Sequence, residues 1–408
     1  MADKDASHAA ADAGGVVGPD VVAACALNAL PGIGISALHA IATSFKSLRE
    51  AWEAGPKEIL ARADDLELRP AAREYLARMP DLHELGLWAV AAAKDAGARV
   101  VLLNDGWYPA KLKAIKNPPP LLYVRGHLAP EARRVAIVGA RNSDEQGLEI
   151  ARSFGDGLAR AGVQIISGGA RGVDSAAHDG AFWGEGQSVA VLGCGIDLVY
   201  PPENRDLFDR MAKGAGAVVS EFAPGTQPSQ KNFPRRNRTI SGLSDAVVVV
   251  RAAMRSGALI TADHAAQQGR PIFAVPGDLG NPIASGPNQL LRLEVAKPVL
   301  SPRDVLELLG WPVPEALRTE PPAPVQDDPG FPMRTDPTPK QSKVPTAETV
   351  MDELSLKLWR LLDERTPAHV DDLALRAEMT ASQALRKLAE LEQKGMCLQR
   401  PGKYFLRR

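Results

Sequence analysis

The stretch RVAIVGARNSDEQGLEIARSFGDGLARAGVQIISGGARGVDSAAHDGA, residues 134–181, decides the fold. RVAIVG from Arg134 and VQIISG from Val163 are nearly continuous apolar runs that do not alternate. Such runs mark strands covered on both faces. Gln146 to Ala161 reads as a helix between them, and Asp174 to Gly184 as a second helix after them. A strand, a crossover helix and a further strand make the repeating unit of a parallel α/β sheet. The pattern extends outward through RVVLL (from Arg99), SVAVLG (from Ser188), AVVSEF (from Ala217), DAVVVV (from Asp245), the helical Thr261 to Gln268, and PIFAVPG (from Pro271). Residues 98–311 are therefore expected to form a Rossmann-like, doubly wound, mostly parallel sheet.

The flanks differ in character. Residues 1–18 form an acid-bearing leader without an apolar centre, expected to be disordered and not a secretory signal. Residues 19–97 read as a small helical domain. In ALNALPGIGISALHAIATSF, helical patterns flank Pro31-Gly32-Ile33-Gly34, a turn of the helix-hairpin-helix or SAM-like kind. That turn either meets a DNA phosphate or simply packs two helices, and nothing basic flanks it closely in the sequence. Residues 312–348 are dense in proline and poor in large apolar side chains, which predicts an extended linker. Residues 349–408 carry three helical segments, then MCLQRPGKYFLRR as two short strands, the winged-helix pattern. Thr380 or Ser382 is expected to cap the third helix and Gly395 to stop it.

The 408 residues carry a net charge of −1, so affinity for a polyanion has to come from local clustering. Cys25, Cys194 and Cys397 show neither a disulfide framework nor metal-ligand spacing, which fits a reducing cytoplasm. No segment reaches the roughly 18 consecutive apolar residues of a membrane span.

Parallel sheets deliver functional residues at strand carboxyl ends. Here those ends are Gly139-Ala140-Arg141, Ser167-Gly168-Gly169-Ala170-Arg171 and Gly193-Cys194-Gly195. Glycine allows close backbone approach and arginine adds charge, a combination suited to phosphate. Neither GxGxxG with a distal acid nor GxxxxGK[ST] is present, so a dinucleotide or ATP cofactor is not indicated. FPRRNRTISGLSDAVVVV, residues 233–250, adds Arg235, Arg236 and Arg238 ahead of a buried strand. Lys231 precedes them, Arg251 and Arg255 follow, and only Asp245 opposes them in the sequence. Asn237 is expected to hold a turn that aims the arginines. Asp174 and His178, four apart on one helix face, read as a pair bracing the glycine turn, and His264 as a packed or interface histidine. No nucleophile motif or metal set accompanies them.

Taken in order, YPAKLKAIKNPPPLLYVRG, VAIVGAR, IISGGARGVDSAAHDGA, VLGCGIDLVYPPEN, SEFAPG, FPRRNRTISGLSDAVVVV, SGALITADHAA and GRPIFAVPGD resemble the signature blocks of the DprA/Smf family of DNA-processing proteins, from about Tyr108 to Asn288. The resemblance implies a non-enzymatic, cytoplasmic homodimer, without cofactor or metal, that binds single-stranded DNA. It further implies protection of incoming DNA and loading of RecA recombinase during natural transformation. Carried over, the DNA-contacting positions are Arg141, Arg171, Arg236 and Arg238, with Lys231 and Arg235 beside them. Gly139, Gly168 and Gly169 would admit the phosphates, and Asn237, Asp174 and His178 would support them. Two departures stand out. Arg251 replaces a usual acid, which would make the site more basic. Gly286-Pro287-Asn288 and Glu294-Val295-Ala296 replace the usual Gly-Thr-Asn and Gly-Ala.

Two other functions fit parts of the sequence. A nucleoside-monophosphate phosphoribohydrolase shares the glycine-rich architecture, but its PGGxGTxxE block is absent. A duplex-DNA regulator would use the tail, where Arg386, Lys387, Lys394, Arg400, Lys403, Arg407 and Arg408 outnumber Glu390 and Glu392.

Overall fold

The computed structural model describes residues 17–79, 81–318, 352–363, 368–393, 396–400 and 404–407. The expected leader, apart from its last two residues, and most of the expected linker lie outside the described residues. The chain divides into two compact units, with the boundary at Glu320.

The first unit opens with α1 (Pro19–Ala29), α2 (Ile35–Ser44), α3 (Leu48–Ala61), α4 (Pro70–Arg78) and α5 (His83–Asp95). A nine-stranded sheet follows. Its strands are β1 (Ala98–Leu102), β2 (Leu121–Gly126), β3 (Arg134–Val138), β4 (Gln164–Ser167), β5 (Ser188–Leu192), β6 (Gly216–Ser220), β7 (Ala246–Val249), β8 (Ile272–Ala274) and β9 (Lys297–Pro298). Between them run α6 (Ala110–Lys113), α7 (Glu145–Arg160), α8 (Val173–Trp183), α9 (Arg205–Arg210), α10 (Asn232–Leu243), α11 (Gly257–Gln267) and α12 (Ser285–Arg292), with α13 (Pro302–Leu308) after β9.

The strand order is β1-β2-β6-β5-β4-β3-β7-β8-β9. Pairing is parallel from β6 through β9, while β2 runs antiparallel to both β1 and β6. The sheet is thus mostly parallel, with an antiparallel edge that carries β2, a strand hidden in the sequence behind Pro118, Pro119 and Pro120. The order reverses between β3 and β7, the switch point of the sheet.

Side-chain alternation divides the core. Ala136 and Val138 point to the α10 and α11 layer, with Ile240, Leu243, Ala258 and Ala262. Val135 and Ile137 point to the α7, α8 and α13 layer, with Ala151, Phe154, Ala177 and Val305. At the β1 end, α1 is buried from Val22 through Leu27 because it is covered twice. Ala26 and Leu27 face the helical cluster, and Ala24 and Cys25 face the sheet with Tyr123 and Val218. Burial there pushes the Cys25 thiol up to about 12. The chain also stays on the core past Trp311, since Val313 and Leu317 pack against the α7 layer.

The second unit holds α14 (Glu353–Leu361), β10 (Ala368–His369), α15 (Val370–Ala377), α16 (Ala381–Gln393), β11 (Cys397–Arg400) and β12 (Tyr404–Arg407). Its three strands pair antiparallel in the order β10-β12-β11 behind three helices, a winged helix. Thr380 Oγ1 accepts from the Gln383 amide and caps α16, while Gly395 lies outside the described residues. Among the described residues no helix is long and apolar enough to cross a membrane.

Candidate nucleic-acid interface

The FPRRNR segment is helical, not the turn that its proline and three arginines suggest. It occupies the first turns of α10, which lies across the carboxyl ends of the central strands. Successive helical residues point about 100° apart, so neighbouring arginines part company.

Arg236 turns inward and is 5% exposed. Its Nη1 donates to the carbonyls of Gly168 and Val191, and its Nε donates to Asn237 Oδ1 at 3.1 Å. Asn237 in turn donates to the Gly257 carbonyl at 3.0 Å, tying α10 to the start of α11. Beside the guanidinium, Asp174 Oδ2 accepts from the amides of Gly168 and Ala170 at 3.1 and 3.3 Å. Burial raises the Asp174 carboxyl above its ordinary range and lowers Arg236 below its own, while their mutual attraction opposes both shifts. Arg236, cast from the sequence as an open phosphate contact, is therefore a buried brace of the β4 turn.

The glycines obey the same logic. A Cβ on Gly168 would lie 2.7 Å from Arg236 and Asp174 atoms, and one on Gly169 would lie 2.7 Å from the Phe208 ring. A Cβ on Gly139 would meet Val173 at 2.6 Å. The side-chain direction at each of these glycines is filled by the protein's own groups, so no larger residue fits there. His178 does not pair with Asp174 as its spacing suggests; its Nδ1 lies 2.6 Å from Ser188 Oγ. That hydroxyl gives its proton to the Ile165 carbonyl, so Nδ1 is the donor and Nε2 keeps a bare lone pair. Burial and the nearby Arg236 cation depress the His178 pKa to about 3.

Arg251 is the second correction. Expected to make the site more basic, it is 2% exposed. Its Nε lies 3.6 Å from Asp144 and its Nη2 donates to Gln146. Of the acids near the arginine cluster, the sequence shows Asp245 and hides Glu221. Asp245 pairs with Lys111, and buried Glu221, whose carboxyl burial holds above its usual range, lies near Arg235 and Arg238.

What remains open is a different set. Arg141 is exposed, with its guanidinium 4.7 Å from the Phe233 ring. Phe233 rests on Gly193, where a Cβ would be 2.7 Å away, and stacks on Tyr200 at 5.9 Å and 29°. Tyr200 is 40% exposed. Arg171 is exposed and forms an ion pair with Glu203. Lys231 and Arg235 are exposed, the latter over the Phe222 ring at 4.9 Å. Arg238 is half-buried and donates to the Lys116 carbonyl at 2.7 Å. The arrangement is an aromatic platform rimmed by arginines at the sheet's carboxyl edge. Phe233 and Tyr200 were not among the expected site residues; the blocks FPRRNR and VYPPEN contained them without marking them.

In the winged unit, Lys387 is held by Asp352 and Glu390 at 3.1 and 2.9 Å, and Arg407 lies over the Trp359 ring. Lys394, Lys403 and Arg408 lie outside the described residues.

Residues 99–310 match the family described as DNA recombination-mediator protein A, and residues 337–403 match the DprA winged helix domain. The chain belongs to the DprA/Smf family. Protein Smf of Escherichia coli strain K12 is 39% identical over 306 residues, covering 74% of this chain and 75% of that protein. The DNA processing protein DprA of Bacillus subtilis strain 168 is 39% identical over 222 residues, covering 54% of this chain and 74% of that one. Among solved structures, the X-ray structure of DNA processing protein A from Streptococcus pneumoniae superposes with a TM-score of 0.58 at 30% identity, over 71% of this chain and 98% of that one. The family match spans the sheet that carries the platform and its arginines.

Proposed function

We propose that the protein holds single-stranded DNA at the carboxyl edge of its sheet and acts as a recombination mediator, protecting the strand and passing it to RecA recombinase without catalysing a reaction. The observation that carries this is the Arg141–Phe233–Tyr200 surface. Aromatic faces stack on unpaired bases of any sequence while arginines hold the phosphates, and a duplex keeps its base faces covered. Arg141, Arg171, Lys231, Arg235 and Arg238 are the phosphate contacts in this reading. Arg236, Asn237, Asp174 and His178 support them from beneath, as the packing at Gly139, Gly168 and Gly169 does. The family's description as a recombination mediator supports the recombinase partner.

A homodimer and a cytoplasmic setting belong to the same proposal. Exposed Leu279, Leu293, Val295 and Leu300 cluster in sequence around the edge strand β9, where an unpaired edge invites cover by a second copy. All three cysteines are free and buried, which suits a reducing compartment.

Fluorescence anisotropy with labelled single-stranded and duplex oligonucleotides at two salt concentrations tests the reading. Single strands are expected to bind more tightly, with affinity falling steeply as salt rises and indifferent to sequence. Equal affinity for duplex, or binding unmoved by salt, would refute it.

A further inference from the structure

Beneath the N-terminal helical segment lies a cleft of about 1340 Å³ that shares Lys231, Arg235 and Arg238 with the proposed interface but is lined by neither Phe233 nor Tyr200. One wall is the Pro31–Gly34 turn with the start of α2, and the other is the outer face of α10. Lys231, Arg235 and Arg238 are spaced four and three apart, which places them on one side of that helix, away from the buried Arg236. Lys116 and Arg69, both exposed, add charge from the neighbouring loop and from the residue capping α4. Asp65 and Glu67 are the acids on its lining, so five cations face two carboxylates. Burial lowers the His264 pKa, and that ring, which also lines the cleft, adds no charge at neutral pH. Arg171 and Arg251 are paired with Glu203 and Asp144, whereas Arg69, Lys116, Lys231 and Arg235 take no carboxylate among the described residues. Gly34 brings the turn close to the helix without a side chain; a Cβ there would have only Arg235 Nη2 near it, at 4.0 Å.

We infer that this cleft carries a second stretch of the same single DNA strand, its phosphates held between the Pro31–Gly34 turn and the outer face of α10. The inference rests on the proposed single-strand binding at the platform. Its volume exceeds the roughly 300–1000 Å³ of small-ligand pockets, and it is an open, positively charged groove, the form that tracks a polymer backbone. Continuity favours nucleic acid over an acidic peptide. Phe233 of the platform and Lys231 of the cleft lie in the same opening turn of α10, so a strand stacked on Phe233 is delivered to the cleft as it leaves. A helical segment that would otherwise only pack against the sheet then lengthens the footprint.

The test is a charge reversal on the two cleft cations that α10 and its cap do not supply, Arg69→Glu with Lys116→Glu, in the full chain, with Arg141→Ala as the platform control. Binding is measured to single strands of about 6 and about 30 nucleotides and to a duplex of the longer sequence. For the double variant, affinity for the long strand is expected to fall roughly tenfold and its salt slope by about 1.4, with the short strand unaffected and the melting temperature unchanged. Arg141→Ala is expected to weaken both lengths. Long-strand binding that survives the double reversal would overturn the inference while leaving the platform reading intact. So would equal losses on both lengths, a loss confined to duplex, or an acidic peptide that competes with duplex but not with single strand. If neither wild type nor variant prefers single strands, the platform reading itself fails.

Discussion

Arg235 and Arg236 are neighbours in the sequence and point about 100° apart on one helix, yet they occupy opposite regimes of physical chemistry. Arg236 lies under the sheet edge, where its hydrogen bonds are spent on Gly168, Val191 and Asn237 and its charge is set against buried Asp174. Arg235 stands in solvent over Phe222, near buried Glu221 but without a hydrogen bond to the protein among the described residues. A basic motif is therefore two devices back to back: an inner face that fixes the turn geometry and an outer face that meets the ligand. Charge density in a sequence counts both alike, and only burial separates them.

The sharpest way to break this division is to truncate each arginine in turn. Arg236→Ala strands the Gly168 and Val191 carbonyls and leaves Asp174 without its nearby cation, at a cost of about 3–5 kcal/mol in folding stability. Arg235→Ala is expected to stay within about 0.5 kcal/mol of wild type and to lose single-strand affinity instead. Chemical denaturation beside anisotropy measures both, and equal stability losses would erase the distinction. Next in size is the platform. Phe233→Leu keeps an apolar group on Gly193 but removes the stacking face, and affinity should fall by about 1–3 kcal/mol for every sequence tested. A loss restricted to some base compositions would point to base readout. Smaller again is the contrast between exposed Arg141 and buried Arg251. Arg141→Ala should flatten the single-strand salt slope by about 0.7, and Arg251→Met should leave it unchanged. A response from Arg251→Met would restore it to the interface.

The ease of recognising each element follows from what buries it. β3, α7, β4 and α8 were legible to within about a residue because their buried faces are apolar and their turns carry glycine. α10 was not, since its buried face runs Arg236, Thr239, Ile240 and Leu243, a helical spacing that begins with an arginine. An apolar pattern cannot register a charged residue as core. The same blindness made Arg251 look like part of the site, because its partner Asp144 lies 107 positions away. Strands β2 and β9 escaped for another reason: one follows a proline run and the other has only two residues. Among the binding groups, arginines in glycine turns were readable as a phosphate-binding chemistry. Phe233 and Tyr200 needed the fold, since their stacking joins the first turn of α10 to a loop that the sequence keeps apart from it.

A pH profile probes the inner face. His178 is buried against Ser188 and held neutral, its pKa depressed to about 3 by burial and by Arg236. In the unfolded chain a histidine titrates near 6.5. Between those values the unfolded state takes up a proton that the folded state refuses, so stability rises with pH through this window and is lost as pH falls from about 6.5 toward 3. Asp174 and Glu221 act in the opposite sense. Burial raises both, so the folded state holds their protons longer and stability falls as pH rises through their shifted range. These two carboxyls are common to wild type and to His178→Gln, and they cancel in the difference between the two. Gln keeps a donor for Ser188 and cannot ionise. The variant's stability, measured by urea denaturation from pH 4 to pH 7, is therefore expected to decline less than that of wild type on acidification. Parallel profiles would show that the ring beneath Arg236 takes up its proton in the folded state, and the inner face would then be open to solvent and no longer distinct from the outer one.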